Sequence, residues 1–206
     1  MKIMVSASDG QWEELTTCSN NIEWIRVTGE NTFMEYSSAA AYFNLNNSRE
    51  HPDYSLLAKP VFINSVSTTL EELEAPLNVF RINGWSGFIQ RPVWELAGPA
   101  DENTKSVLTL LSKEIKIVAD EPGLVAARII CMIINEAYFA IGDGVSSKDE
   151  IDTAMKLGTN YPFGPFEWAV TIGLENIVEL LQKLTLSDKR YQPAPLLIKE
   201  AANDKP

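Results

Sequence analysis

Few side chains in this 206-residue sequence could move a proton, transfer a group or hold a metal, and their spacing limits the chemistry further. The one histidine, His51, stands in the polar segment "NNSREHPDY". A solvated loop imidazole is the expected role there, with a relocated general base as the alternative. The two cysteines, Cys18 and Cys131, stand neither in a CxxC pair nor beside the histidine, so no metal site is predicted. They read as reduced, largely buried thiols, with a long-range disulfide as the alternative. The most site-like stretch is Arg81–Ala97, "RINGWSGFIQRPVWELA", which sets Trp85, Phe88, Pro92 and Trp94 around one carboxylate, Glu95. A carboxylate among rings could serve acid–base chemistry in a pocket. The other reading is a rigid corner: Gly84 and Gly87 make the turn, Trp85 is core or pocket wall, and Glu95 pairs with Arg81 or Arg91.

The elements that would position these residues follow from periodicity. Seven short runs rich in Val, Ile, Phe and Trp read as strands: 2–7, 22–27, 41–45, 60–66, 78–83, 91–97 and 114–119. Between them lie helix-compatible connectors. "DGQWEELTTC" is one, and "STTLEEL" is another, with Ser67 as cap and Glu71 near the capping-box position. "DENTKSVLTLLSKE" is the third, with an apolar face of Val107, Leu108, Leu110 and Leu111. This alternation predicts a compact, mostly parallel α/β sheet over residues 1–119. Residues 120–206 read as all-α. "PGLVAARIICMIINEAYFAIGDG" is apolar nearly all round, which predicts a helix buried on most sides. "SSKDEIDTAMKLG" follows, with Ser146 or Ser147 as N-cap and Gly158 after its end. "GPFEWAVTIG", "LENIVELLQKL" and "PLLIKEAA" complete the helices.

The net charge of −11, with Lys and Arg scattered singly, argues against nucleic acid as a partner. No window reaches the ~18 apolar residues of a membrane span, and the N-terminal apolar run is too short for a signal peptide. The expectation is a cytoplasmic protein.

"DEPGLVAARI", "NEA", "DGVSSKDEIDTAMKLGTNYPFGPFEWAVTIGLENI" and "RYQPAPLL" together resemble the C-terminal domain of the 3-hydroxyacyl-CoA dehydrogenases, over about residues 114–199. The segment from "NVFRINGWSGFIQRPVWELAG" to "EIKIVADEPG" resembles the end of that family's Rossmann domain. The resemblance implies a Rossmann NAD-binding part joined to a 6-phosphogluconate-dehydrogenase-like helical domain that makes a homodimer. It implies a GxGxxG loop after the first strand, where this sequence has "SASDGQ" with Gly10 alone and Asp9 facing the phosphates with like charge. The ribose anchor falls on Glu30, and the first half is shorter than the family's, so βα units are expected to be missing.

The family's catalytic histidine precedes a glutamate by twelve residues. If Glu95 is that glutamate, the histidine position holds Asn83, and an amide cannot accept and release a proton near neutral pH. The family's catalytic asparagine falls on Ala127. Ser67 and Thr68 match a serine-rich segment near the substrate, with helix capping as the alternative. Asn135 and Glu136 are expected to pack between helices or across a dimer, and "YPFGPFEW" to line an acyl slot or form an aromatic corner. The reading is a family member without the usual NAD and acid–base apparatus. It would bind an acyl-CoA-like ligand between the halves, near Trp85, Glu95 and Gly123. An active NAD-dependent dehydrogenase with an atypical site and a structural homodimer are the alternatives.

Overall fold

Each of the seven apolar runs forms a strand: β1 (Lys2–Ser6), β2 (Glu23–Arg26), β3 (Ala41–Asn44), β4 (Val61–Asn64), β5 (Val79–Ile82), β6 (Val93–Ala97) and β7 (Glu114–Ile117). The structure, a computed structural model, describes residues 1–17, 21–28, 30–35, 38–46 and 53–203, without the side chains of 30 and 31. Cys18 and His51 therefore lie outside the described residues.

The strands make one sheet in the order β2-β1-β3-β4-β5-β6-β7. Every neighbouring pair is parallel except β5 and β6, which are antiparallel. A parallel return needs a crossover of a dozen or more residues, and the corner from 83 to 92 is shorter. β3, β4 and β5 are buried at every position, as expected of central parallel strands covered on both faces. Phe43, Phe62 and Phe80 line one face, with ring centroids 4.6 and 5.7 Å apart. Tyr42, Ile63 and Val79 line the other, against Phe33 and Tyr54. Helix α1 (Asp9–Thr16) follows β1, and α2 (Glu102–Leu110) joins β6 to β7. β1 sits between β2 and β3, so the chain reverses its direction of travel across the sheet there. In open α/β sheets the ligand crevice lies outside the carboxyl ends of the strands at such a switch point.

The segment "STTLEEL" forms hydrogen-bonded turns rather than a helix, and Ser67 does not cap it. Thr69 and Glu72 make the capping exchange instead, and Asp120 accepts from the Leu70 N–H at 2.8 Å. Asp120 also pairs with the fully buried Arg81, whose other donors reach the carbonyls of Ser65 (2.7 Å), Val66 (3.0 Å) and Glu121 (3.3 Å). Burial pushes the Arg81 pKa down, and the Asp120 carboxylate opposes that shift.

The chain divides into two compact units, Met1–Leu124 and Val125–Pro206. The second contains α3 (Ala126–Gly142), α4 (Lys148–Thr159), α5 (Pro165–Ile172), α6 (Leu174–Thr185) and α7 (Pro195–Asn203). Contrary to the expectation of burial on most sides, α3 is two-faced. Ala127, Ile130, Cys131, Ile134 and Tyr138 are buried, while Ile129 is 52% and Phe139 36% exposed. α4 starts at Ser147, capped reciprocally with Glu150, and runs through Gly158 to end at Asn160 in the left-handed conformation. Asparagine tolerates that conformation, which explains why the stop is not the glycine. The buried Asp152 on α4 accepts from the Phe166 and Glu167 N–H groups at 2.8 and 3.2 Å, and so caps α5 from a neighbouring helix. Asn135 donates to Gln192 O (2.9 Å) and accepts from Ala194 N (2.8 Å), which ties α3 to the connector just before α7. Burial pushes the Cys131 thiol far up, which leaves it inert. Among the described residues no helix is long and apolar enough to cross a membrane.

Candidate functional site

The carboxyl edge of the sheet is lined by neutral polar side chains. An apolar residue followed by asparagine closes each of three strands: β3 ends on Phe43–Asn44, β4 ends on Ile63–Asn64, and β5 ends on Ile82 with Asn83 next. β1 ends on Ser6. Asn44 and Ser6 are spent locally. Asn44 donates to the Tyr54 hydroxyl (2.9 Å), and Ser6 Oγ accepts from Asn46 Nδ2 (2.7 Å).

Above them, α1 begins with a complete capping box. Ser8 N and Ser8 Oγ donate to Gln11 Oε1 at 3.1 and 2.9 Å, and Gln11 N donates to Ser8 Oγ at 3.4 Å. The remaining atom of the buried Gln11 side chain, Nε2, donates to Leu45 O (2.7 Å) and Gly84 O (2.8 Å). Asn64 joins the same two residues from below: its Nδ2 donates to Leu45 O (3.0 Å), and its Oδ1 accepts from Gly84 N (3.0 Å). Two carboxamides and three backbone groups of Leu45 and Gly84 thus form a closed ring over the ends of β3, β4 and β5. A Cβ on Gly84 would lie 2.7 Å from Asn64 Cβ, so this approach requires glycine.

The corner after β5 is tied to α1. Glu14, one turn beyond Gln11 on α1, accepts from Gly87 N with both oxygens, at 2.9 and 3.0 Å. Trp85 is 3% exposed and meets Phe88 edge-on at 6.4 Å, so it is a wall of the corner's own core. Asn83 is set apart: its Oδ1 accepts from Trp85 N (3.2 Å), which fixes the amide's orientation, while its Nδ2 is buried without a hydrogen-bond partner. The β5–β6 register pairs Arg81 with Ala97 and Ile82 with Leu96. Continued one position beyond these two pairs and beyond the end of β5, that register would bring Asn83 opposite Glu95, the spacing that a hairpin gives. Glu95 is half-buried and acts on Arg91, whose pKa is lowered by burial against the opposing pull of that carboxylate. Arg91 lies 4.4 Å over the Phe88 ring, and Arg81 is engaged by Asp120.

The other residues singled out from the sequence scatter. Ser67 and Thr68 are half-buried in the turn after β4, where Thr68 O accepts from Ser65 Oγ at 2.8 Å. Gly10 is the second residue of α1, and a Cβ there would meet nothing within 4 Å. Asp9 on the first turn is paired with Arg26, the last residue of β2, at 2.6 Å. Glu30 opens a 3-10 turn, Glu30–Glu35, and its side chain lies outside the described residues. Ala127 is fully buried on α3 in the second unit and offers only a methyl group. Among the described residues no cluster of His, Cys, Asp and Glu could hold a metal ion. Sequence reasoning missed Gln11, Glu14 and Asn64, although the apolar–Asn ending repeated on three strands was a readable signal for the last.

Comparison with known proteins places this arrangement. Residues 123–205 match the 3-hydroxyacyl-CoA dehydrogenase C-terminal domain, which is nearly the whole of the second unit. That unit is a 3-hydroxyacyl-CoA dehydrogenase C-terminal domain. The 3-hydroxyadipyl-CoA dehydrogenase of Escherichia coli K12 is 42% identical over 106 residues, covering 49% of this chain and 22% of that protein. A probable 3-hydroxybutyryl-CoA dehydrogenase of Bacillus subtilis is 33% identical over 160 residues, covering 72% and 54%. The matched part thus spans less than two thirds of either dehydrogenase. The crystal structure of (S)-3-hydroxybutyryl-CoA dehydrogenase from Ralstonia eutropha superposes with a TM-score of 0.74, over 98% of this chain and 93% of that one. At 18% identity this likeness is one of fold: a Rossmann-like, mostly parallel sheet followed by the family's helical domain.

Proposed function

We propose that this chain is a 3-hydroxyacyl-CoA dehydrogenase-family protein that binds an acyl-CoA-like ligand at the carboxyl end of β5 without turning it over as an NAD-dependent dehydrogenase. The observation that carries this reading is Asn83. Its buried Nδ2 has no acceptor, which costs about 1–3 kcal/mol if left unmet, and a ligand carbonyl would supply one. The same amide cannot take a hydroxyl proton, so a hydride-transfer reaction has no base at this position. Glu95 is drawn to Arg91, and the described residues include no histidine for it to orient. The CoA-ester class of ligand comes from the names of the relatives.

The test uses the full chain in two assays. Acetoacetyl-CoA should raise the melting temperature by about 5 °C at a hundredfold excess over its Kd. NADH oxidation with the same thioester should stay flat at 340 nm. Turnover would overturn the inactive reading, and no melting shift at millimolar thioester would overturn the binding one.

The assembly we propose is a homodimer through α3. The stripe Ile129, Met132 and Ile133 is bordered by Arg128 on one side and the exposed Glu136 on the other. Two copies of α3 crossing antiparallel about Met132 would set Arg128 against the partner's Glu136 twice, which is the self-complementarity a two-fold interface needs.

A further inference from the structure

A dinucleotide is the cofactor the fold implies, and the residues at the switch point do not fit it. A pyrophosphate seated on a helix N-terminus needs free N–H groups and no competing negative charge. At the start of α1 the Ser8 and Gln11 N–H groups are both spent in the capping box and Trp12 N donates to Ser8 O at 2.9 Å, which leaves the N–H groups of Asp9 and Gly10, directly beside the Asp9 carboxylate. The first helical residue, Asp9, carries a carboxylate of its own, which already answers the positive end of the helix. Arg26, the cation at the end of β2, is engaged by the protein as well. It donates to Asp9 and to Ala7 O (3.0 Å), and it lies 5.6 Å over the Trp12 ring.

Deeper in the crevice, the ring of Gln11, Leu45, Asn64 and Gly84 uses both N–H groups and both acceptor positions of the Gln11 carboxamide. Asn64 contributes one N–H and its oxygen.

We infer that the carboxyl edge of this sheet is closed by its own side chains and takes no dinucleotide, with Gln11 and Asn64 forming the closure. Gln11 then has a structural duty: it ties the start of α1 to the ends of β3 and β5, and Glu14 continues the tie to Gly87. The closed ring explains why a single glycine is enough in "SASDGQ". No ligand backbone has to approach the loop, and Gly10 faces open space. This inference stands apart from the reading at Asn83, because a chain without turnover could still hold NADH.

The experiment is a fluorescence titration of the full chain with NADH and NADPH, beside melting curves of wild type, Gln11→Ala and Gln11→Met. The expected result is no saturable signal up to about 1 mM of either nucleotide, and a fall in melting temperature of about 3 °C or more for both variants. Gln11→Met keeps the side-chain length while leaving Leu45 O and Gly84 O with one donor fewer each, so it reports on the ring even if the alanine variant fails to fold. Saturable NADH binding in the micromolar range would overturn the inference, as would an unchanged melting temperature in Gln11→Met. Neither result bears on acyl-CoA binding, which is read in the separate thioester melts.

Discussion

Two glycines of the first unit look alike in the sequence and differ in what surrounds them. Gly84 faces Asn64 so closely that any side chain must move the ring apart, whereas Gly10 sits on a helix turn with open space beyond it. Gly84→Ala is therefore expected to lower stability by about 1–3 kcal/mol, as overpacking does. Gly10→Ala is expected to raise it by about 0.5 kcal/mol, through helix propensity and a less free unfolded chain. Paired melting curves would measure both, and a destabilising Gly10→Ala would show that the loop needs its glycine. Much of the site was legible at this scale. Asn83 and Glu95 were found by counting, and the count matches the next position beyond the last β5–β6 pair. Gln11 was not found, because an amide on an amphipathic helix reads as solvent-facing. Only the fold shows that it spans the ends of two strands 34 and 73 residues away.

Among the elements, the seven strands were readable because central parallel strands are continuous apolar runs. The helix ends were less readable, since caps are decided by partners that the sequence does not mark. Ser67 lost its capping role to Thr69, and α4 passed through the expected stop at Gly158. The N-terminus of α4 carries the clearest dependence on pH. Hydrogen bonds from Ser146 and Ser147 hold the Glu150 carboxyl at about 2, below its ordinary 4.5. A carboxyl depressed on folding stabilises above its unfolded value and loses that contribution as pH falls. The first turn of α4 should therefore loosen between about pH 4.5 and 2. Amide exchange at Ser147 and Glu150 would follow it, and Glu150→Gln, which keeps the shape but not the charge, should flatten the dependence.

For the molecule as a whole, the stripe on α3 is exposed in the single chain, and a helix apolar all round does not tell from sequence which face packs within its own unit. The proposed dimer makes a definite mass prediction: light scattering should give twice 22.9 kDa. Glu136→Arg should shift the population to monomer by placing like charges together. Adding Arg128→Glu should restore the dimer with the signs exchanged. A wild-type monomer at tens of micromolar would end this proposal.

The Arg81–Asp120 pair reaches beyond the folded state. The sheet is assembled almost in the order in which the chain is synthesised, and by the time β5 has emerged its neighbours are present. Arg81 would then enter the interior as a charge without its counter-ion, because Asp120 lies 39 residues further on. A nascent chain halted before β7 would hold an uncompensated guanidinium in its core, which strongly disfavours the native arrangement. The ion pair that neutralises Arg81 therefore forms only once Asp120 has been synthesised, whereas the Ser65 and Val66 carbonyls that Arg81 also uses precede it in the chain.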